Sequence, residues 1–265
     1  SAASDVYKRQ MVLNSIRLYN VKFGEKYGEM VIACDDKNYW RKSIFPYYKA
    51  HRKADREKSP LDWNQIFNVL NKVRDELKET FPWKVIQIQT AEADDIIATL
   101  CNRFGKTLKA EDDINILIVS GDKDFAQLQK YVNVEQYSPV TKKWIRISNP
   151  ESFLREHIMR GDRGDGVPNF LSADNVIITG ARQKPLASKK IEKWVSLDPR
   201  DFCNEVMLRN YKRNESLVNL ALIPSAIVNQ INEKYDNYKV PSRSGLLSYF
   251  IKNRLKLLMD RIGEF

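Results

Sequence analysis

Acidic residues follow predicted strands at three places in the sequence. They are Asp35 after VIAC; Glu92, Asp94 and Asp95 after VIQIQT; and Asp122 and Asp124 after ILIVSG. A further pair, Asp162 and Asp165, lies in the glycine-rich segment GDRGDGVPNFLS. The carboxyl ends of parallel strands lie at one edge of a sheet, with neighbouring strands roughly 5 Å apart. We therefore expect these carboxylates to converge in one pocket.

Converging carboxylates repel one another unless cations neutralise them, and hard divalent ions with oxygen ligands suit such a pocket. Mg²⁺ is the first candidate and Mn²⁺ the second. Two ions about 4 Å apart promote phosphodiester hydrolysis, since one activates water and the other stabilises the leaving oxygen. Each acidic residue also has a simpler interpretation as a helix N-cap or a partner of a helix dipole. Helix capping does not predict convergence, which favours the metal site.

The elements that must position these residues are predicted by apolar patterning. Apolar strands are predicted at 30–35, 83–89 and 114–120, and helices at 11–27, 63–80 and 91–105. A hairpin at 134–148, a helix at 150–160 and a mostly helical remainder follow. Apolar strands alternating with helices predict an α/β fold with a mostly parallel central sheet flanked by helices.

Composition narrows the class of function. The chain has 265 residues, 43% of them hydrophobic, and a formal net charge of +10. This charge favours an anionic partner, with nucleic acid ahead of a membrane surface, and no apolar run approaches the ~20 residues of a membrane span. Only two histidines and three cysteines occur, without paired spacing. They argue against a His/Cys zinc site, a Ser-His-Asp triad and a disulfide framework.

The segment 38–58 mixes cations with aromatic residues. The cations are Arg41, Lys42, Lys49, Arg52, Lys53, Arg56 and Lys58, and the aromatic residues are Tyr39, Trp40, Phe45, Tyr47 and Tyr48. Cations follow a phosphate backbone and aromatic faces stack on unpaired bases, which predicts a nucleic-acid contact. The alternative is a solvated helix face whose aromatic residues belong to the core.

A second predicted phosphate contact lies further along the chain. Gly161, Gly164 and Gly166 permit backbone amides to approach phosphates closely. Ser188, Lys189 and Lys190 open a helix after Pro185, where amides, a hydroxyl and two cations form a phosphate clamp. Such contacts ignore base sequence, so we expect structure-specific, salt-sensitive binding.

Four motifs together resemble a known family. EADD at 92–95, SGDKDFAQL at 120–128 and GDRGDGVP at 161–168 are similar to the acidic signatures of the flap endonuclease / 5′-nuclease superfamily, and YYKAHR at 47–52 to its YKxxR segment. Within that family the chain resembles the ribonucleases H of T-even-type bacteriophages. The resemblance implies a PIN-like fold with a C-terminal helix–three-turn–helix region. It also implies a two-metal 5′→3′ nuclease acting on RNA in RNA·DNA hybrids, DNA 5′ ends and flaps.

The resemblance assigns roles to individual residues. The first metal site or its water shell would comprise Asp35, Glu92, Asp94, Asp95, Asp122 and Asp124, and the second Asp124, Asp162 and Asp165. The choice between Asp94 and Asp95 stays open. Lys49 and Arg52 would contact the scissile phosphate, Arg41 would bind a further phosphate, and Tyr48 would stack on the terminal base. Gly164, Gly166, Ser188, Lys189 and Lys190 would belong to the nucleic-acid-binding region.

The resemblance also sets expectations for the domains and the N-terminus. It implies a nuclease domain at 11–148 with a basic arch at 38–60, and a helical DNA-binding region at 149–265. The segment DVYKRQ within residues 1–10 resembles a transposon end used in sequencing libraries, so we expect those ten residues to be foreign. The family begins with a strand ending in a metal-binding aspartate, which nothing before residue 11 supplies. We therefore expect an N-terminally truncated nuclease with a damaged first metal site.

The expected partners are DNA with 5′ ends or flaps, RNA·DNA hybrids and a phage replication protein such as a single-stranded-DNA-binding protein. We expect a monomer with no membrane partner, removing primers during lagging-strand synthesis in the cytoplasm of an infected bacterial host. Two alternatives remain. One is a non-catalytic, structure-specific DNA-binding protein on the same fold, favoured by the missing aspartate. The other is a PIN-type ribonuclease, which would be shorter and lack the helical DNA clamp.

Overall fold

The computed structural model of the protein describes residues 2–108 and 114–265. Within these ranges the strands are β1 Val31–Cys34, β2 Lys84–Gln87, β3 Ile116–Val119, β4 Val134–Ser138 and β5 Lys143–Ile145. Each predicted strand is present, and the predicted hairpin is the antiparallel pair of β4 and β5. Strands β1, β2 and β3 are shorter than their apolar runs, because the ends of those runs belong to the connecting loops.

Helices account for most of the remaining elements. They are α1 Ala2–Tyr27, α2 Arg41–Ile44, α3 His51–Glu57, α4 Trp63–Thr80, α5 Ala93–Phe104, α6 Pro150–Arg160, α7 Ser188–Trp194, α8 Pro199–Phe202, α9 Glu205–Val218, α10 Ser225–Asp236, α11 Leu246–Lys252 and α12 Lys256–Met259. Short 3-10 helices lie at Lys123–Lys130, Arg163–Asp165, Arg243–Gly245 and Ile262–Glu264. The chain after β5 is mostly helical, as predicted. No described helix combines the length and apolarity needed to cross a membrane.

The strands form two small sheets. β1 pairs in parallel with β2, β3 pairs in parallel with β4, and among the described strands neither sheet pairs with the other. A largely apolar cavity of about 660 Å³ is lined by residues of β1 and β3, with Phe23 of α1 and Ile97 of α5 also contributing. The expected single central sheet is thus divided in two, while the parallel direction of its main strands is as predicted.

The first helix is longer than the sequence pattern predicts. It begins at Ala2 and continues through residues 11–27 without interruption until Gly28, whose φ of +76° ends it. Arg9 Nε donates a hydrogen bond to Glu76 Oε2 at 2.8 Å, and Leu13 is fully buried. These contacts hold α1 against α4. The foreign origin of residues 1–10 stays a prediction.

Three apolar clusters hold the fold together, and each combines residues from both halves of the chain. Their members include Ile96 with Ile231 in one cluster, Leu77 with Phe250 in the second, and Tyr48 with Tyr211 in the third. Burial of apolar surface stabilises the fold by about 25 cal/mol per Å². The C-terminal helices are therefore part of the cores that support the α/β half.

We expect Phe81→Ala to lower the free energy of unfolding by roughly 3–5 kcal/mol, because the buried ring leaves a cavity. Phe81 is fully buried and its ring packs against those of Trp83, Tyr249 and Phe265. The measurement is urea unfolding followed by circular dichroism. Phe67→Ala is the control: Phe67 is 43% exposed, and its loss should cost about 1 kcal/mol or less. Equal losses would contradict the buried position of Phe81.

Candidate active site and metal centre

The N-terminus of α5 is built by a capping box. The Asp95 carboxylate accepts a hydrogen bond from the Glu92 N–H at 2.9 Å, and the Glu92 side chain caps the N–H of Asp95 in return. Asp95 also accepts from Arg41 Nη2 at 2.8 Å and from Trp40 Nε1 at 3.0 Å. Both carboxylate oxygens of this fully buried residue are occupied. The predicted metal role of Asp95 is thereby corrected to a structural one, and Asp94 becomes the ligand candidate.

Arg41 lies beneath the pocket and not on its surface. It is only 3% exposed, donates from Nη1 to Glu92 Oε2 at 2.6 Å and from Nε to the Leu217 carbonyl at 2.8 Å. Burial alone would lower the pKa of this guanidinium, but Asp95 and Glu92 raise it above its usual value. The expectation that Arg41 binds phosphate is corrected, because its donors join α2 to α5 and α9.

Tyr48 is likewise enclosed. Its ring is 3% exposed, and its hydroxyl lies 3.0 Å from Glu92 Oε2 and 3.1 Å from Asp165 Oδ2. Burial raises the pKa of the hydroxyl, and the nearby Asp165 and Glu92 raise it further, so Tyr48 is a neutral donor. A buried ring offers no face to a nucleobase, which corrects the predicted stacking role.

The two predicted catalytic cations lie at the acidic cluster. Lys49 donates from its ammonium group to Glu92 Oε1, and that group is 3.7 Å from Asp165 Oδ1. Arg52 Nη2 donates to Asp165 Oδ1 at 2.6 Å. Lys49 adopts a left-handed φ of +54°, and its N–H donates to the Asp165 carbonyl at 2.7 Å. The arch backbone is thus tied directly to the turn that carries Asp165.

Asp94 and Asp122 form the less compensated part of the cluster. Burial raises the pKa of Asp94 to about 8, and the nearby Asp122, Glu92 and Asp124 contribute to the rise. The pKa of Asp122 is also raised, by desolvation and by the neighbouring Asp124 and Asp162. Like charges disfavour ionisation of their neighbours and so raise the pKa. The raised pKa values of Asp94 and Asp122 therefore indicate that the cations of the protein do not fully neutralise these two carboxylates.

A histidine joins the other part of the cluster. His157 Nε2 lies 2.8 Å from Asp124 Oδ1 and 3.8 Å from Asp162 Oδ2. One ligand atom from each of these three residues lies within 4.8 Å of the others. Burial by itself would raise the pKa of Asp162, but Lys123 and His157 hold it below the usual value. Lys123 Nζ is 3.0 Å from Asp162 Oδ2.

The turn between Gly161 and Gly166 delivers Asp162 and Asp165. A Cβ on Gly161, whose φ is +69°, would lie 2.4 Å from the Pro168 carbonyl oxygen. The amides of Gly164 and Gly166 already donate within the turn, to Asp162 Oδ1 and to the Arg163 carbonyl. These glycines shape the acidic turn, and the nucleic-acid contact of Gly164 and Gly166 stays a prediction.

The remaining predicted residues lie around the cluster. Asp35 is exposed, and its Oδ1 accepts a hydrogen bond from the Ala93 N–H at 2.7 Å, at the N-terminus of α5. Ser188, Lys189 and Lys190 are exposed at the start of α7, where Arg160 Nη2 donates to Ser188 Oγ at 3.3 Å. Their nucleic-acid roles stay predictions.

The structure therefore brings together most of the predicted ligands. They are Glu92, Asp94, Asp122, Asp124, Asp162 and Asp165, with Asp35 at the edge. Sequence reasoning missed His157. The available signal was its position in the last turn of α6, immediately before Gly161 and Asp162.

Comparison with protein families identifies the chain. The model described as 5′-3′ exonuclease, N-terminal resolvase-like domain, matches residues 8–157. The chain belongs to the 5′-3′ exonuclease family. A second model, described as T4 RNase H, C terminal, matches residues 149–265. The predicted family is thus confirmed, and the chain is a nuclease.

Two relatives illustrate the range of this 5′-3′ exonuclease family. The ribonuclease H of Enterobacteria phage T4 is 35% identical over 268 residues, which cover 97% of the chain and 86% of the phage protein. Flap endonuclease Xni of Shewanella oneidensis is 33% identical over 152 residues, which cover 53% of the chain and 51% of that protein. The first similarity extends over both halves of the chain.

Two solved structures share the fold. The zinc-bound T5 5′-exonuclease matches with a TM-score of 0.55 and 16% identity, covering 90% of the chain and 91% of that protein. The bacteriophage T5 flap endonuclease in a pseudo-enzyme-product complex with DNA and metal ions matches with a TM-score of 0.57 and 16% identity, covering 84% and 89%. The predicted α/β fold class is confirmed.

We expect Asp94→Asn to stabilise the metal-free protein more at pH 8 than at pH 5. Native Asp94 holds its proton up to a pKa of about 8, whereas the ordinary value is 3.8. The native state therefore binds more protons across this interval, and its stability falls as pH rises. Asn removes this dependence, for a gain on the order of 1–3 kcal/mol at pH 8.

The measurement is urea unfolding in EDTA at both pH values. Asp201→Asn provides the control, because Asp201 lies exposed on α8, away from the cluster. An Asp94→Asn variant with the same pH dependence as the wild-type protein would contradict the repulsion inferred at this site.

Proposed function

We propose that the chain is a divalent-metal-dependent 5′→3′ nuclease that uses two Mg²⁺ ions, with Mn²⁺ as a substitute. The observation that supports this proposal is the convergence of carboxylates whose charge the protein neutralises only in part. The raised pKa of Asp94, about 8, expresses this excess of negative charge. A pocket of this kind suits hard cations with oxygen ligands.

The residues fall into two ligand sets. Asp35, Glu92, Asp94 and Asp122 would hold the first ion or its water shell, and Asp124, Asp162 and Asp165 the second. The fit is supported by Asp124 Oδ1, which is buried and makes no hydrogen bond with a described residue. Paired cations at this position supply an activated water and stabilise the leaving oxygen of a phosphodiester.

Lys49 and Arg52 would orient the scissile phosphate. Both side chains are ion-paired with Asp165, and Lys49 also contacts Glu92. The positive charge of neutralising cations at these carboxylates favours release of the two side chains toward the phosphate anion. The Lys49 backbone contact with Asp165 keeps this pair at the cluster when the side chains move. The arch 38–60 of the nuclease domain 11–148 would therefore close over the reacting phosphate.

The helical region 149–265 would bind the nucleic acid behind the cleavage site. Ser188, Lys189 and Lys190 are exposed, and Arg160 adjoins them.

The proposed substrates are RNA in RNA·DNA hybrids and DNA with 5′ ends or flaps. The proposed role is primer removal by a monomer during phage lagging-strand replication in the bacterial host, and the 35% identity to the ribonuclease H of phage T4 supports the phage setting. A single-stranded-DNA-binding protein is the proposed partner.

We expect Asp122→Asn to reduce cleavage of a 5′-labelled RNA·DNA hybrid and of a flap substrate at least about 100-fold with Mg²⁺. Asp122 Oδ1 accepts the Asp124 N–H at 2.9 Å, and an asparagine retains that acceptor, so the fold is preserved while a charged ligand is lost. Asp198→Asn is the matched control, since Asp198 Oδ1 accepts the Arg200 N–H at 2.9 Å in the same way, remote from the cluster.

EDTA should abolish cleavage by the wild-type protein. Binding of both substrates without any cleavage would contradict the proposal and favour a non-catalytic DNA-binding protein. Cleavage of single-stranded RNA without dependence on a 5′ end would favour a PIN-type ribonuclease instead.

We expect the double variant Lys189→Ala, Lys190→Ala to weaken binding of flap DNA equally for different base sequences. Each phosphate contact contributes a nearly constant amount to the salt dependence, so the logarithmic slope against salt should fall by about 2. Fluorescence anisotropy at several salt concentrations measures both quantities. Lys252→Ala, Lys256→Ala removes the same charge from α11 and α12 as a control. An equal change in the control would indicate a general charge effect.

A further inference from the structure

His157 is the one imidazole in the acidic cluster within the described residues. It lies in the last turn of α6 and is 5% exposed. Its ring stacks on Phe153, with 6.1 Å between the centroids, which holds the imidazole plane in place. The Nε2 atom therefore has a fixed direction at Asp124 and Asp162.

Two buried polar atoms lie next to each other without bonding. His157 Nε2 and Asp124 Oδ1 are 2.8 Å apart, yet neither makes a hydrogen bond of acceptable geometry with a described residue. Leaving a buried polar atom unpaired costs about 1–3 kcal/mol. The two atoms are close together but are not directed at each other. This is the arrangement of two ligand atoms that bind the same cation.

Asp162 provides the third ligand. Its Oδ1 is fixed by the Gly164 N–H at 2.8 Å, which leaves Oδ2 directed to Lys123 and His157. The Lys123 side chain is 54% exposed. An exposed ammonium group moves into solvent at little cost when a divalent ion takes its place.

We propose that His157 Nε2 is a direct ligand of the cation held by Asp124 and Asp162. This inference rests on the proposed function and specifies the second metal site as a mixed nitrogen–oxygen site. Imidazole nitrogen suits transition metals, whereas Mg²⁺ prefers oxygen ligands. The site therefore favours Mn²⁺ over Mg²⁺ more strongly than an all-oxygen site does.

The test is titration of the metal-free protein with Mn²⁺, followed by pulsed electron paramagnetic resonance. Imidazole bound directly to Mn²⁺ gives a ¹⁴N hyperfine coupling. We expect this coupling in the wild-type protein, its loss in His157→Gln and its retention in His51→Gln. The chain contains only these two histidines, so the matched pair of variants assigns the signal.

His157→Gln should also weaken Mn²⁺ binding at one site by about 10–100-fold, with a smaller effect on Mg²⁺. Thermal unfolding in EDTA establishes that each variant is folded. If His157→Gln does not fold, the wild-type and His51→Gln spectra still decide the question. Bound Mn²⁺ without ¹⁴N coupling in the wild-type protein would overturn the inference and leave the proposed nuclease intact. A wild-type protein that binds no Mn²⁺ or Mg²⁺ would contradict the proposed function itself.

Discussion

Repulsion among carboxylates at the strand ends is the constraint to which the surrounding structure responds. Glu92 is stabilised as an anion because Arg41 and Lys49 outweigh the cost of its burial and lower its pKa. Asp162 is stabilised in the same way by Lys123 and His157. Asp94 lies near Glu92, Asp122 and Asp124, and its pKa rises to about 8. The fold thus neutralises Glu92 and Asp162 with its own cations and leaves Asp94 incompletely neutralised.

Burial separates the cations of one basic segment into two kinds. Arg41 is enclosed with Glu92 and Asp95, and removal of a buried charge from its partners is strongly unfavourable. The Arg52 side chain is 42% exposed, so its ion pair with Asp165 is weak and exchangeable. Arg41 therefore maintains the pocket, while Arg52 is available to a phosphate anion. The two roles follow from depth in the protein, because the charges themselves are the same.

The acidic cluster was predictable from the sequence, and its supporting residues were not. The position of Asp122 and Asp124 after an apolar run predicts a strand end, and ligand sites in parallel α/β folds lie beyond the carboxyl ends of the strands. Arg41 and Tyr48 were misassigned because a cation next to an aromatic residue has the same pattern on a surface and in a buried network. Only the hydrogen-bond partners distinguish the surface from the buried case, and the partners of Arg41, which are Glu92 and Leu217, are distant in sequence. His157 was missed because a single histidine forms no spacing motif, although it lies in the last turn of α6, directly before the acidic turn.

The arch, the acidic turn and the helical region are in direct contact with one another. Gly166 has a φ of +74°, and a Cβ there would lie 2.9 Å from the Tyr47 carbonyl oxygen, so the turn packs directly against the arch. Asn214 of α9 donates to the Pro168 carbonyl at 2.8 Å and to that of Ile158 in α6 at 2.8 Å. A displacement of α9 is therefore transmitted by the Asn214 side chain to α6, which carries His157, and to the chain directly after the acidic turn. Because a metal site tolerates ligand shifts of only a few tenths of an ångström, the packing of the helical region determines the geometry of the acidic pocket.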